Sequence, residues 1–291
     1  MFMASVHWLW EAVLSSAVFL TGANTFYLLT VWALYTYMKS RPSPFNCKWP
    51  MLLYNLAMVG FAGYVAFGII HVLMSGKLSF ICNEPRAYNS TSTSNVFLGH
   101  LYIVFYLQKF MEFFDTWFFI LRKSFRQLTF LHLYHHCSIN VIVWLGLIGG
   151  YGDMYLPVLL NSIVHVLMYG HYAASSVGIS TPWKPFLTKI QILQFVIIVF
   201  FGAGTFMSCD GESNAPVWAR ALVMGYMVSM IALFGNFFIR AYITGTRACK
   251  EKTNTTAANS NGKDAATNSS RVLTGDTTGK KNGYTTDKKD E

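Results

Sequence analysis

Charge is what this sequence has least of. Only 12% of its 291 residues are Asp, Glu, Lys or Arg, where a soluble domain carries about 25%. That shortage excludes an ordinary water-soluble globule. Cysteine is sparse as well: five residues spread along the chain, with no CxxC pair to mark a redox or zinc motif. Histidine numbers eight and forms a single cluster, while His7, His71 and His100 stand alone. A membrane di-iron desaturase or hydroxylase needs several clustered histidine boxes, so this pattern counts against one. No basic start precedes the first apolar run. That run is also too long for a signal peptide and is followed by others, so it reads as a retained helix. No internal repeat is visible.

What the chain has in quantity is long apolar runs; 53% of its residues are hydrophobic. Seven runs are read as membrane helices, at about 12–38, 51–75, 96–121, 127–148, 154–177, 186–207 and 216–244, near or above the roughly 20 residues that span a bilayer. With the N-terminus luminal, the cytosolic segments hold Lys39, Arg41, Lys48, Arg122, Lys123, Arg126, Lys184, Lys189, Arg240 and Arg247, against only Lys77, Arg86 and Arg220 on the luminal side. This bias obeys the positive-inside rule. The net charge of +9 therefore reports topology, not nucleic-acid binding.

Residues 1–249 read as one membrane domain and 250–291 as a disordered cytosolic tail, because composition turns abruptly to Thr, Asn, Ser, Gly, Lys and Asp after Cys249. The tail carries Lys288-Lys289 before its last two residues, similar to a di-lysine retrieval signal of the endoplasmic reticulum and read by a receptor. Cys82 and Cys209 fall in the two larger luminal loops. The oxidising lumen makes a disulfide between them a candidate, and two free thiols the alternative. Asn89-Ser90-Thr91 in the same loop as Cys82 is a glycosylation sequon. The sequons at Asn254 and Asn268 are expected to be silent in a cytosolic tail.

The polar residues inside the apolar runs are few and patterned. Lys109, Glu112 and Asp115 step by three, and Thr116 lies four beyond Glu112, so they share one helical stripe. His132, His135 and His136 form a second, continued by Asn140. Asn161, His165, Tyr169 and Tyr172 form a third, and Thr188, Gln191 and Gln194 a fourth. A lone charge at the centre of a membrane helix costs roughly 2.5–3.5 kcal/mol. The economical arrangement points all four stripes at one shared interior. Counted at about 1.5 Å per residue, Asp115 lies about 9 Å, His136 about 14 Å, and Lys109 and His165 each about 18 Å from the cytosolic end of their spans. The stripes therefore coincide in the cytosolic half and the midplane. Cys137 points about 100° away from His136 on a helix and reads as a packed thiol.

These blocks resemble the ELO family of fatty-acid elongases, the membrane 3-oxoacyl-CoA synthases. KxxExxDT matches Lys109, Glu112, Asp115 and Thr116; HxxHH matches His132, His135 and His136. NxxxHxxMY matches Asn161, His165, Met168 and Tyr169; TxxQxxQ matches Thr188, Gln191 and Gln194. The four blocks occur in order, and the likeness covers roughly residues 40–245. One departure stands out: the family's MYxYY becomes Met168-Tyr169-Gly170-His171-Tyr172, which leaves substrate fit near His171 open.

The resemblance implies an all-α membrane protein with seven transmembrane helices around a narrow acyl tunnel; the di-lysine pair points to the endoplasmic reticulum membrane. It implies condensation of acyl-CoA with malonyl-CoA to 3-oxoacyl-CoA, CO2 and CoA. No bound cofactor or metal is expected. The implied partners are the two thioesters, the bilayer, and the reductases and dehydratase of the elongation cycle; self-association is a further candidate. Within this scheme His135 is the candidate acyl acceptor, as an acyl-imidazole. His165 would polarise the malonyl thioester or take a second role in acyl transfer. Glu112 and Asp115 would orient imidazoles, His132 and His136 complete the catalytic cluster, and Lys109, Asn161, Tyr169, Gln191 and Gln194 would hold substrate carbonyls. Arg122, Lys123, Lys189 and Arg240 are candidate phosphate contacts for CoA. Gln127, the run Leu131–His136 and Asn161-Ser162 resemble elongases of polyunsaturated chains, with saturated or monounsaturated chains the alternative.

Overall fold

The computed structural model describes residues 13–83, 93–149, 152–209 and 217–240. No strand occurs among them. The helices are α1 (Ala17–Ser40), α2 (Lys48–Met74), α3 (Thr93–Met111), α4 (Phe113–Leu121), α5 (Phe130–Ile148), α6 (Tyr155–Ser176), α7 (Lys184–Ser208) and α8 (Val217–Phe238). Short 3-10 turns lie at Phe125–Gln127 and Gly152–Met154. The chain divides into two compact units, Met1–Asn236 and Phe237–Glu291, and the features below belong to the first. The expected domain boundary after Cys249, the di-lysine pair, Arg247 and Asn89 lie outside the described residues.

Five of these helices are long and apolar enough to cross a membrane: α1, α2, α5, α8 and the Phe186–Ser208 part of α7. The other two expected spans are those that carry the most polar groups. The run expected as one helix over 96–121 is divided at Glu112. Glu112 N–H still donates to Gln108 O at 3.0 Å, but Asp115 N–H turns to Glu112 O at 3.2 Å. One turn is thus tightened to the 3-10 pattern. This small break sits in the middle of the Lys109–Thr116 block.

Helix α6 lies most extensively against α2, and further pairs form between α2 and α3, α6 and α7, α1 and α4, and α3 and α5. The main core runs through this group. Val65 and Ile69 of α2 meet Leu98, Leu101 and Tyr106 of α3, with Val143 and Leu147 of α5, Phe195 and Ile198 of α7, and Met227 and Met230 of α8. At Gly68 of α2 a Cβ would stand 2.6 Å from a Leu101 methyl, so glycine is what lets α3 approach.

Local signals place the functional blocks. Thr129 caps α5 by accepting the His132 N–H at 3.2 Å, which fixes the histidine cluster in the first two turns. Gly178, at φ +85°, turns the chain after α6 with a backbone only glycine adopts cheaply. Just beyond it Thr181 hydrogen-bonds His171 Nδ1. At the opposite end Cys82 and Cys209 are joined by a disulfide, Cα–Cα 5.3 Å. The Asp153 carboxylate accepts the backbone N–H groups of Cys82 (3.2 Å) and Asn83 (3.0 Å) and the Asn83 side-chain amide (2.8 Å). Tyr155 OH donates to Phe80 O at 2.6 Å. These contacts tie residues 80–83 to the start of α6 and the end of α7.

Candidate active site

Residues of three of the polar stripes meet directly, and Gln194 of the fourth joins His135 and Asn161 at a cavity. Lys109 is fully buried and Glu112 is 1% exposed. The Lys109 ammonium donates to Glu112 Oε1 at 2.6 Å and to Asn161 Oδ1 at 2.9 Å, and sits 4.4 Å from the centre of the Phe105 ring. Glu112 Oε1 also lies 3.1 Å from His165 Nδ1. Helices α3 and α6 are thereby joined through a single carboxylate oxygen and a single ammonium. A buried charge pair of this kind holds only while both partners are present.

An ammonium can only donate. The Asn161 oxygen must therefore face Lys109, which leaves the Asn161 NH2 as a donor on the other side of the amide. Asn161 is one of the residues lining an adjacent cavity of about 80 Å³. His135, Gln194 and Tyr226 line the same cavity, and its other walls are apolar or glycine: Phe105, Ile139, Ile142, Val143, Gly146, Met154, Pro157, Val158, Phe195, Ile198, Val223 and Met227. Polar groups are confined to one end of an otherwise greasy pocket.

The histidines divide by partner. His135 Nδ1 is 3.1 Å from Tyr226 OH, so its Nε2 is the nitrogen left for a ligand. His132 Nε2 is 2.7 Å from Thr116 Oγ1, which is in turn 2.7 Å from Tyr27 OH. His136 packs between them, with ring centres 4.3 Å from His132 and 5.5 Å from His135. Its Nδ1 has no hydrogen-bond partner among the described residues, and neither has Glu112 Oε2. Buried polar atoms are rarely left this way; neither His136 nor Glu112 lines the cavity itself.

Other expectations fare differently. Asp115 does not orient an imidazole: its Oδ2 accepts from Tyr169 OH at 2.6 Å. A phenol donates as well as a ring N–H, and helical spacing alone does not choose between them. Gln194 is buried at the cavity, but Gln191 Nε2 turns to Met168 Sδ at 3.6 Å. Cys137 packs against the Tyr27, Phe113 and Ile120 cluster, away from the cavity lining. Arg122 and Lys123 come together at the end of α4, where Lys123 Nζ donates to Arg41 O. Lys189 lies instead on α7, 5.5 Å from the Phe186 ring. Arg240 belongs to the second compact unit. Among the described residues no group of His, Cys, Asp and Glu side chains could hold a metal ion.

Two participants escaped the sequence. Tyr226 and Tyr27 sit in apolar helices rich in aromatics, where a lone tyrosine reads as packing. The one available signal was Ser229, three residues beyond Tyr226 and hydrogen-bonded at 3.0 Å to Tyr134 OH, which marks a polar face on α8.

Comparison with known proteins bears directly on this arrangement. Residues 12–250 match the ELO model, described as the GNS1/SUR4 family. The chain belongs to the ELO family. Among its relatives, very long chain fatty acid elongase 5 of Mus musculus is 37% identical over 224 residues, covering 75% of this chain and 72% of that protein. Its Homo sapiens counterpart is 36% identical over the same length and shares. The Xenopus tropicalis protein is 35% identical over 248 residues, covering 81% and 79%. The matched residues 12–250 include Lys109, Glu112, His135, Asn161 and His165.

Proposed function

We propose that this ELO protein is a fatty-acid elongase that condenses a long-chain acyl-CoA, of the polyunsaturated class, with malonyl-CoA to give 3-oxoacyl-CoA, CO2 and CoA. The single observation that carries the proposal is the cavity with His135, Asn161, Gln194 and Tyr226 at one end and apolar walls beyond. A fatty thioester has the same division: one polar reactive group on a hydrocarbon chain. Family membership and the names of the relatives supply the chemistry of the substrate.

The acyl-accepting role falls to His135. With Nδ1–H donated to the Tyr226 oxygen, Nε2 carries the lone pair. It attacks the acyl carbonyl; the N–C bond forms, the C–S bond breaks, and CoA leaves as the thiol with the proton the imidazole gives up. Malonyl-CoA then loses CO2. The electrons of the broken C–C bond form the enolate of acetyl-CoA, whose carbon attacks the acyl-imidazole. The C–N bond breaks, and the imidazolide released takes a proton from water, which restores the neutral ring. The Asn161 NH2 and the Gln194 amide are donors for the carbonyl oxygens at which negative charge develops. His165, held by Glu112, serves the malonyl thioester.

The acyl chain then lies in a tunnel among seven membrane-crossing segments, the five apolar helices together with α3–α4 and α6. Arg122, Lys123 and Lys189 are the phosphate contacts for CoA at a cytosolic mouth. The enzyme resides in the endoplasmic reticulum membrane, N-terminus luminal and C-terminus cytosolic, and passes its product to the reductases and dehydratase of the cycle. Residues 250–291 form its cytosolic tail.

The test is direct. Purified protein incubated with acyl-CoA alone is digested and analysed by mass spectrometry, and CO2 release from malonyl-CoA is followed in parallel. The expected result is an acyl adduct on His135 and CO2 release that depends on acyl-CoA. Turnover by protein that never carries an adduct would reject the covalent route. A panel of saturated and polyunsaturated acyl-CoAs decides the substrate class.

A further inference from the structure

The apolar end of the cavity has a specific construction. From His135 the lining residues of α5 run Ile139, Ile142, Val143 and Gly146, one face of the helix. Eleven residues at about 1.5 Å each put Gly146 about 16 Å from the reactive end. There the thioether of Met154, also a lining residue, lies directly over Gly146. A Cβ at 146 would meet Met154 Sδ at 2.5 Å and Cε at 2.8 Å. The glycine is therefore what admits the methionine side chain to this position.

Met154 is also held from behind. Its neighbour Asp153 accepts three hydrogen bonds from Cys82 and Asn83, and its neighbour Tyr155 donates to Phe80 O. The Cys82–Cys209 disulfide anchors the same loop to the end of α7. A methionine side chain is ordinarily the most adaptable filler in a core; here its neighbours on both sides are hydrogen-bonded to residues 80–83 while its side chain lines the cavity.

We propose that Met154, seated on Gly146, is the floor of the acyl cavity and sets the longest chain the enzyme accepts, with Asp153 as the positioning residue that holds the floor in place. The inference rests on the elongase function proposed above. It assigns the length limit to one side chain rather than to the apolar wall as a whole. A pocket that gains or loses room for one methylene discriminates by about 10–200-fold, so the effect is large enough to read in a substrate panel.

The experiment compares Met154→Ala and Met154→Trp with the natural protein, using malonyl-CoA and saturated acyl-CoAs of increasing length. The quantity read is the ratio of kcat/KM for the longest to that for the shortest accepted chain. Met154→Ala is expected to raise this ratio by roughly ten-fold or more and Met154→Trp to lower it by a similar factor. Asp153→Ala is expected to shift the ratio toward longer chains by less than Met154→Ala, because the thioether remains but its anchor is lost. Opposite shifts from the two Met154 variants exclude general misfolding, which moves both in one direction. Variants that turn over with the natural ratio, or that both shift it the same way, overturn the assignment. Failure of the natural protein to release CO2 with any acyl-CoA would remove the elongase function itself.

Discussion

Helix α1 and the α3–α4 pair are built on opposite rules. Helix α1 turns apolar side chains outward: Val18 is 82% exposed, Trp32 69% and Phe26 60%. In α3–α4 nearly everything from Leu98 to Tyr106 is buried, and so are Lys109, Glu112, Asp115 and Thr116. In water this would be inverted, since apolar groups go inside and charges stay out. In a bilayer the surrounding medium is hydrocarbon, so apolar groups gain little by going inside and polar groups must find one another. The contrast teaches where to look for function in such a protein: in the helix whose composition is least suited to the membrane.

The strongest way to test the contrast is to unbalance the buried pair. Lys109→Met leaves Glu112 as an uncompensated buried charge and is expected to cost about 3–5 kcal/mol of stability, read as a large drop in the unfolding temperature in detergent. Adding Glu112→Gln should recover most of that loss but not the activity, because the contact with His165 changes with it. If the single and double variants unfold alike, the two groups do not act as a pair.

A smaller effect is expected at the reacting end. Tyr226→Phe removes the hydroxyl that lies 3.1 Å from His135 Nδ1. One hydrogen bond is worth about 1 kcal/mol net, so kcat should fall by roughly five-fold, with little change in KM. A fall in KM-limited rate alone would show Tyr226 to be a binding surface. The smallest effect belongs to α1: Trp32→Ala should change stability by less than about 0.5 kcal/mol and leave turnover unaltered. A loss comparable to that of Lys109→Met would mean that α1 is packed against a partner on its outward face.

The sequence reveals much of this plan, and the parts it hides have a common cause. Long apolar runs announce helices, and residues stepping by three and four announce faces, so the convergence of Lys109, His135, Asn161 and His165 is legible from spacing. Spacing says nothing about what lies across the gap. Asp115 could face an imidazole or a phenol, and it meets Tyr169. Tyr27 and Tyr226 were hidden because a tyrosine among phenylalanines carries no pattern of its own. Gln191 fits its motif yet turns to a methionine sulfur. The break at Glu112 is equally silent, since it contains neither proline nor glycine and arises from one retargeted amide.

The pairing of Lys109 with Glu112 lies within a single segment, three residues apart, whereas its bond to Asn161 reaches across 52 residues. In the growing chain the two charges can therefore neutralise each other as a unit before α6 follows. The later arrival of Asn161 and His165 completes a site whose most awkward groups have already been escorted into place by each other.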